Sequence, residues 1–197
     1  MPVITFWSIK EKTIGQTVSA ALAATVMAME HNYKVLLISA DFNNPTIENC
    51  FGAQESNKDI LRTLVKSPRV NLDSGINGLL KLADSNRIKP EVIHDYTKII
   101  FKNRLEVLYS PMNILDNQKT IIEEELKDII VNASRYYDYV FVDLKKGLKF
   151  ISQLDILNIS DVIVANINQE TSTIQEFYKQ EKIKTLEPKA IWNICRS

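Results

Sequence analysis

Cysteine is almost missing from this chain: Cys50 and Cys195 are the only two in 197 residues. Without a C-x-x-C pair they support neither a disulfide framework nor a cysteine-ligated cluster. Net charge is missing too, because 24 Lys and Arg balance 24 Asp and Glu. No global field draws the chain to nucleic acid or to an anionic membrane, so a nucleic-acid partner is not expected. Long apolar runs are absent. The longest, residues 18–29, is too short to span a bilayer and carries Ser19 and Thr25. It is expected to be a buried core helix, and no integral membrane segment is expected. The N-terminus enters a strand directly, with no charged leader and cleavage site, which points to the cytoplasm. His31 and His94 stand alone in the sequence and are expected at the surface rather than as ligands or bases. Nucleophile-elbow and zinc spacings are absent. So are internal repeats, low-complexity tracts and linkers.

What is present is ordinary for a globular domain: 45% apolar and 24% charged residues. The length suits one domain with a sizeable core, residues 1–197. Strand and helix patterns alternate. Apolar runs at 3–7, 33–39, 105–109, 139–144, 162–165 and 190–194 read as strands. Residues 17–30, 45–51, 59–65, 76–84, 89–96, 118–134 and 173–182 read as helices. Pro45 and Pro90 suit first turns. Ile121, Ile122, Leu126, Ile129, Ile130 and Ala133 form one stripe of the 118–134 helix. The fold class is therefore α/β, a three-layer, doubly wound, mostly parallel sheet with helices on both faces. Ligands in such folds sit beyond the carboxyl ends of the strands.

The first such end lies in residues 3–23, VITFWSIKEKTIGQTVSAALA. An apolar strand enters a short polar turn, and a small-residue helix follows, which is the frame of a phosphate loop. The segment resembles the N-terminus of the ParA/MinD family, whose loop reads K-G-G-x-G-K-[ST]. Without a gap, the leading Lys falls on Lys10, the glycines on Glu11, Lys12 and Ile14, the second Lys on Gly15, and the Mg-binding hydroxyl on Gln16. Residues 17–23, TVSAALA, match the family's T-V-A-x-x-L-A helix start. A one-residue gap instead sets Gly15-Gln16-Thr17 against G-K-T. A phosphate loop needs glycines so that backbone N–H groups wrap the anion, some at φ > 0. It also needs a Lys on the phosphates and a hydroxyl on Mg²⁺. Ile14 resists φ > 0, and Glu11 sets a negative charge against a polyphosphate. In either register the phosphate-binding Lys is lost.

The resemblance continues at later strand ends and covers almost the whole chain. Residues 39–52, SADFNNPTIENCFG, are similar to the family's D-x-D segment near the γ-phosphate. Asp41 keeps the second acid, and Ser39 replaces the first. Asp41 takes a catalytic role if nucleotide binds; otherwise it makes a turn or cap before Pro45. Residues 136–150, YYDYVFVDLKKGLKF, resemble the Walker B region, with Lys145 and Lys146 in place of two prolines. Asp143 either holds Mg²⁺ through water or pairs with Lys10 or Lys12. With Lys149, the two lysines read as a solvated loop. Asn193, in IWNICR, resembles the late strand near the adenine base; it otherwise satisfies backbone groups.

The resemblance implies a dimerising, cytoplasmic spatial-organisation factor near atypical members such as TadZ and CpaE, recruited to a membrane-associated pilus or secretion machine. Family members usually continue past the position of Ser197 with another strand and helix, so either the sequence is a truncated piece or the domain is an abbreviated one. The altered loop implies a pseudo-ATPase scaffold with protein partners or a homodimer, and no cofactor. The alternative is an unconventional ATPase or switch. It would bind ATP through Lys10, Lys12, Gly15, Gln16, Thr17 and Asn193, and Mg through Asp143. A third reading, a tyrosine-kinase-like relative, rests on residues 41–45 and lacks a C-terminal tyrosine cluster.

Overall fold

In the computed structural model of the chain, residues 1–9, 15–42, 46–51, 75–83, 88–110, 116–144, 151–179 and 189–195 are described. The expected helix at 59–65 lies outside them, as do Lys10, Lys12, Lys145, Lys146 and Lys149. The strands are β1 (Val3–Trp7), β2 (Val35–Ala40), β3 (Lys98–Phe101), β4 (Leu105–Leu108), β5 (Tyr139–Leu144), β6 (Val162–Asn168) and β7 (Ala190–Cys195). The helices are α1 (Gln16–Glu30), α2 (Ile47–Cys50), α3 (Gly75–Ala83), α4 (Asp116–Ala133), α5 (Ile151–Ile159) and α6 (Thr171–Lys179), with a 3-10 helix at Pro90–Tyr96. They form one seven-stranded sheet in the order β3-β4-β2-β5-β1-β6-β7. Among the described residues, only the edge pair β3–β4 is antiparallel.

The continuous apolar runs became the central strands because both their faces are covered. Leu36, Ile38, Val140 and Val142 pack toward Ile76 of α3, Leu126 and Ile130 of α4, and Leu157 of α5. Val35, Leu37 and Phe141 face the opposite way, onto Ala20, Ala21, Ala24 and Ala28 of α1. Those alanines correct the reading of residues 18–29 as a buried core helix. Small inward residues let α1 lie close to the sheet, and the larger Val18, Leu22, Val26 and Met29 are left on the outside.

Two elements were not foreseen. β3 is a short edge strand that opens on Lys98 and is followed by Lys102, and a register irregularity falls between Ile99 and Phe101; charges and bulges of this kind mark managed edges. α5 is apolar on most sides and shows no helical stripe, so periodicity did not reveal it. α3 opens on Gly75 at φ 63, where an added Cβ would sit 2.8 Å from the Tyr109 carbonyl oxygen. Gly75→Ala is expected to cost about 1–3 kcal/mol, read as a lower urea midpoint at unchanged slope.

At the amino ends of β2, β4 and β5, Glu106 is buried on β4. Its carboxylate accepts hydrogen bonds from the Tyr137 hydroxyl, from Thr97 Oγ1 at 2.9 Å and from His94 Nδ1 at 2.9 Å. Lys34 Nζ lies 4.0 Å away and stands over the Tyr136 ring. His94 is thus at the surface as expected, with its side chain 38% exposed, but it is a partner of a buried acid rather than isolated. Burial alone would push the Glu106 carboxyl up. The bonds from Tyr137, His94 and Thr97, with the His94 charge, outweigh burial and hold it below the usual carboxylate range. Burial and Glu106 together push the Tyr137 phenol far upward.

Candidate functional site

The carboxyl ends of β1, β2 and β5 converge on the first turn of α1. Asp143 is the fifth residue of β5 and pairs in register with Phe6 of β1 and Ser39 of β2. Phe6 faces α1, so Asp143 does too, and it is 2% exposed. Gly15 precedes the helix at φ 65, ψ 10, a left-handed conformation that glycine adopts freely. It releases the chain into α1, and Ser19 N–H closes the first turn on the Gly15 carbonyl at 2.8 Å.

Gln16, the first residue of α1, points inward and is 2% exposed. Its Nε2 donates to Asp143 Oδ1 and to the Leu144 carbonyl, each at 2.6 Å. The Leu144 carbonyl can only accept, so the amide's orientation follows from chemistry. Its Oε1 is buried with no hydrogen-bond partner among the described residues. The next polar side chains of the turn are also engaged by protein groups. Thr17 Oγ1 accepts from Thr46 Oγ1 at 3.0 Å. Ser19 Oγ accepts from Asn193 Nδ2 at 3.1 Å.

Asn193 belongs to a network that spans three strands. Its Nδ2 also donates to Asn166 Oδ1 at 2.7 Å. Asn166 Nδ2 in turn donates to the Val164 carbonyl at 3.1 Å and the Trp7 carbonyl at 3.5 Å. The amide ladder therefore ties β7, β6 and β1 to the first turn of α1. Asn166 was not anticipated. Its only sequence signal was a polar residue within the apolar run of β6. Ser39, where the resemblance places an acid, instead shares a hydrogen bond with Ser110 at 2.7 Å, with both side chains buried. Asp41 is buried just past β2, at the same strand ends.

The structure thus brings Gly15, Gln16, Thr17, Asp143 and Asn193 around one helix turn, with Asp41 at a neighbouring strand end. Lys10 and Lys12 lie outside the described residues. Among the described residues, no group of three or more His, Cys, Asp or Glu is placed to hold a metal ion, and no helix is long and apolar enough to cross a membrane.

No protein-family model and no curated protein matches the sequence. Solved structures match its fold. A ParA family ATPase from Chlorobium tepidum TLS aligns with a TM-score of 0.70 at 16% identity, over 98% of this chain and 73% of that one. The Pyrococcus furiosus cell division ATPase MinD aligns with a TM-score of 0.64 at 16% identity, over 97% and 69%. The fold is that of the ParA/MinD ATPases. The kinase domain of the Escherichia coli tyrosine kinase ETK shares it, with a TM-score of 0.67 at 17% identity, over all of this chain and 68% of that one. At these identities the likeness is one of fold, and function rests on the site.

Proposed function

We propose that this chain is a ParA/MinD-like pseudo-ATPase, a scaffold or positioning factor for a bacterial assembly such as a pilus, secretion or partition system, which does not hydrolyse ATP. The observation that carries the reading is the Gln16 bridge. Of the two alignments, the ungapped one would set a Lys at the left-handed Gly15 position, where a Cβ is disfavoured. The gapped one sets glycine there and supports Gln16 as the replacement for the phosphate-binding Lys. A Lys carries a positive charge and donates only; Gln16 is neutral, and both donors of its amide group already serve protein acceptors. The remaining polar atom is an acceptor, which opposes phosphate oxygens rather than binding them.

The same residues fit Mg²⁺ poorly. One Asp143 oxygen is held by the Gln16 amide, and both candidates for the metal-facing position, Gln16 and Thr17, are bonded to protein. The fold is then kept for its shape and for protein partners.

A nucleotide-binding switch is the second reading, and one observation favours it. The α1 N-terminus has no side-chain cap hydrogen bond and no acid in its first turn, which leaves its dipole uncompensated for an anion. Thermal melting separates the two. With about 5 mM Mg-ATP, the scaffold reading expects a midpoint shift below about 1 °C. A site with a dissociation constant of about 1 µM would add about 5 kcal/mol at that excess and raise the midpoint by about 10 °C or more.

A further inference from the structure

The outer face of α1 is apolar and without charge. Val18, Leu22, Val26 and Met29 are 54%, 60%, 48% and 63% exposed, and their spacing places them on one stripe. The half-buried Ser19, Ala23 and Thr25 flank them. Thr25 spends its hydroxyl on the Ala21 carbonyl at 2.8 Å, so it asks nothing of a partner. From Gln16 to Met29 the helix has no charged residue, and Glu30 closes it. Ile191, exposed on β7, extends the patch sideways. It lies two residues before Asn193 on the same side of the strand, and Asn193 touches Ser19 of α1.

We infer that this face pairs with the same face of a second copy, α1 against α1, antiparallel about a two-fold axis near Ala24. Charge placement selects this occupant. Glu30 sits at the negative end of its own helix dipole, where an acid is unfavourable. The α1 N-terminus, the positive end, has neither acid nor cap. An antiparallel two-fold pair sets each Glu30 beside the partner's uncapped N-terminus, and the two dipoles oppose. The same operation sets Leu22 against the partner's Val26, with small residues between that allow close approach. Isologous pairing needs one self-complementary patch, and a charge-free stripe meets that condition. The face has no Lys or Arg, which membrane-surface helices carry beside their apolar side.

A helix of 15 residues is about 22 Å long. Even with Ile191 the patch falls short of the roughly 800 Å² per partner of a standard interface. The dimer is therefore a weak one, below the size class of stable interfaces. It forms without nucleotide and does not depend on the pocket's chemistry.

Sedimentation velocity on the nucleotide-free chain, from about 5 to about 300 µM, tests it. The wild type is expected to pass from monomer to dimer across that range. Leu22→Glu sets like charges near the axis and is expected to weaken the dimer at least about 30-fold. Adding Val26→Lys to that variant is expected to restore it, because the two-fold sets the new carboxylate against the partner's new ammonium. Circular dichroism melts confirm folding; Met29→Lys, at the stripe's end, is the second disrupting variant should Leu22→Glu not fold. A wild type that stays monomeric at about 300 µM overturns the inference. So does a dimer indifferent to these charges, or one that the second substitution fails to restore.

Discussion

Glu106→Ala is expected to destabilise the protein by about 3 kcal/mol, the largest single effect predicted for this fold. The carboxylate is buried and collects hydrogen bonds from Tyr137, His94 and Thr97. Removing it strands the buried Tyr137 hydroxyl and leaves the Lys34 ammonium without its acid. Breaking one side of a buried charged network costs about 3–5 kcal/mol; the partial exposure of His94 and Lys34 places this case at the lower end. Glu106→Gln keeps the shape and loses the charge, and should cost less. Urea unfolding of the two variants measures the difference. The pH dependence has a defined sign. A carboxyl whose pKa is lowered by folding contributes stability that is present above its unfolded value. That stability is lost as pH falls through the folded value. The wild type should therefore lose its advantage over Glu106→Gln below about pH 4.3, the ordinary glutamate value. For Tyr137, whose pKa is raised, the sign reverses. Its contribution is present below about pH 10, the ordinary tyrosine value, and is lost on going higher.

The second large effect lies at the site. In a double-mutant cycle, Gln16→Ala and Asp143→Ala should each destabilise the fold, and their coupling should be about 1.5–3 kcal/mol. That is the range for a hydrogen bond to a charged group, and contact neighbours are where additivity fails. A coupling near zero would mean that the Gln16 amide does not hold Asp143 in solution. The pseudo-ATPase reading would then lose the contact that supports it.

Much of the architecture was legible in the sequence because its central strands are buried on both faces. YKVLLIS and YVFVDL are apolar runs too short for helices, and both became strands. The amphipathic stripe of Ile122, Leu126, Ile129 and Ile130 located α4, and those residues are buried. β3 and α5 escaped for opposite reasons: one is too short and too charged, the other apolar without period. The sense of α1 was misread because an alanine face signals close packing only when the partner sheet is known. At the site, sequence pattern singled out Gly15, Gln16, Asp143 and Asn193, which the structure sets around one helix turn. It could not show that Gln16 spans from α1 to Asp143, since those residues meet only when β5 lies beside β1. Glu106 was invisible for the same reason: its partners come from residues 34, 94, 97 and 137, distant along the chain.

The measurement that tests the central claim most directly is isothermal titration of the purified chain with ATP, with and without Mg²⁺, at high protein concentration. The pseudo-ATPase account predicts no saturable heat up to millimolar ATP under either condition. Saturable binding in the micromolar range, above all if Mg²⁺ strengthens it, would contradict the account and make a nucleotide switch the function of this fold.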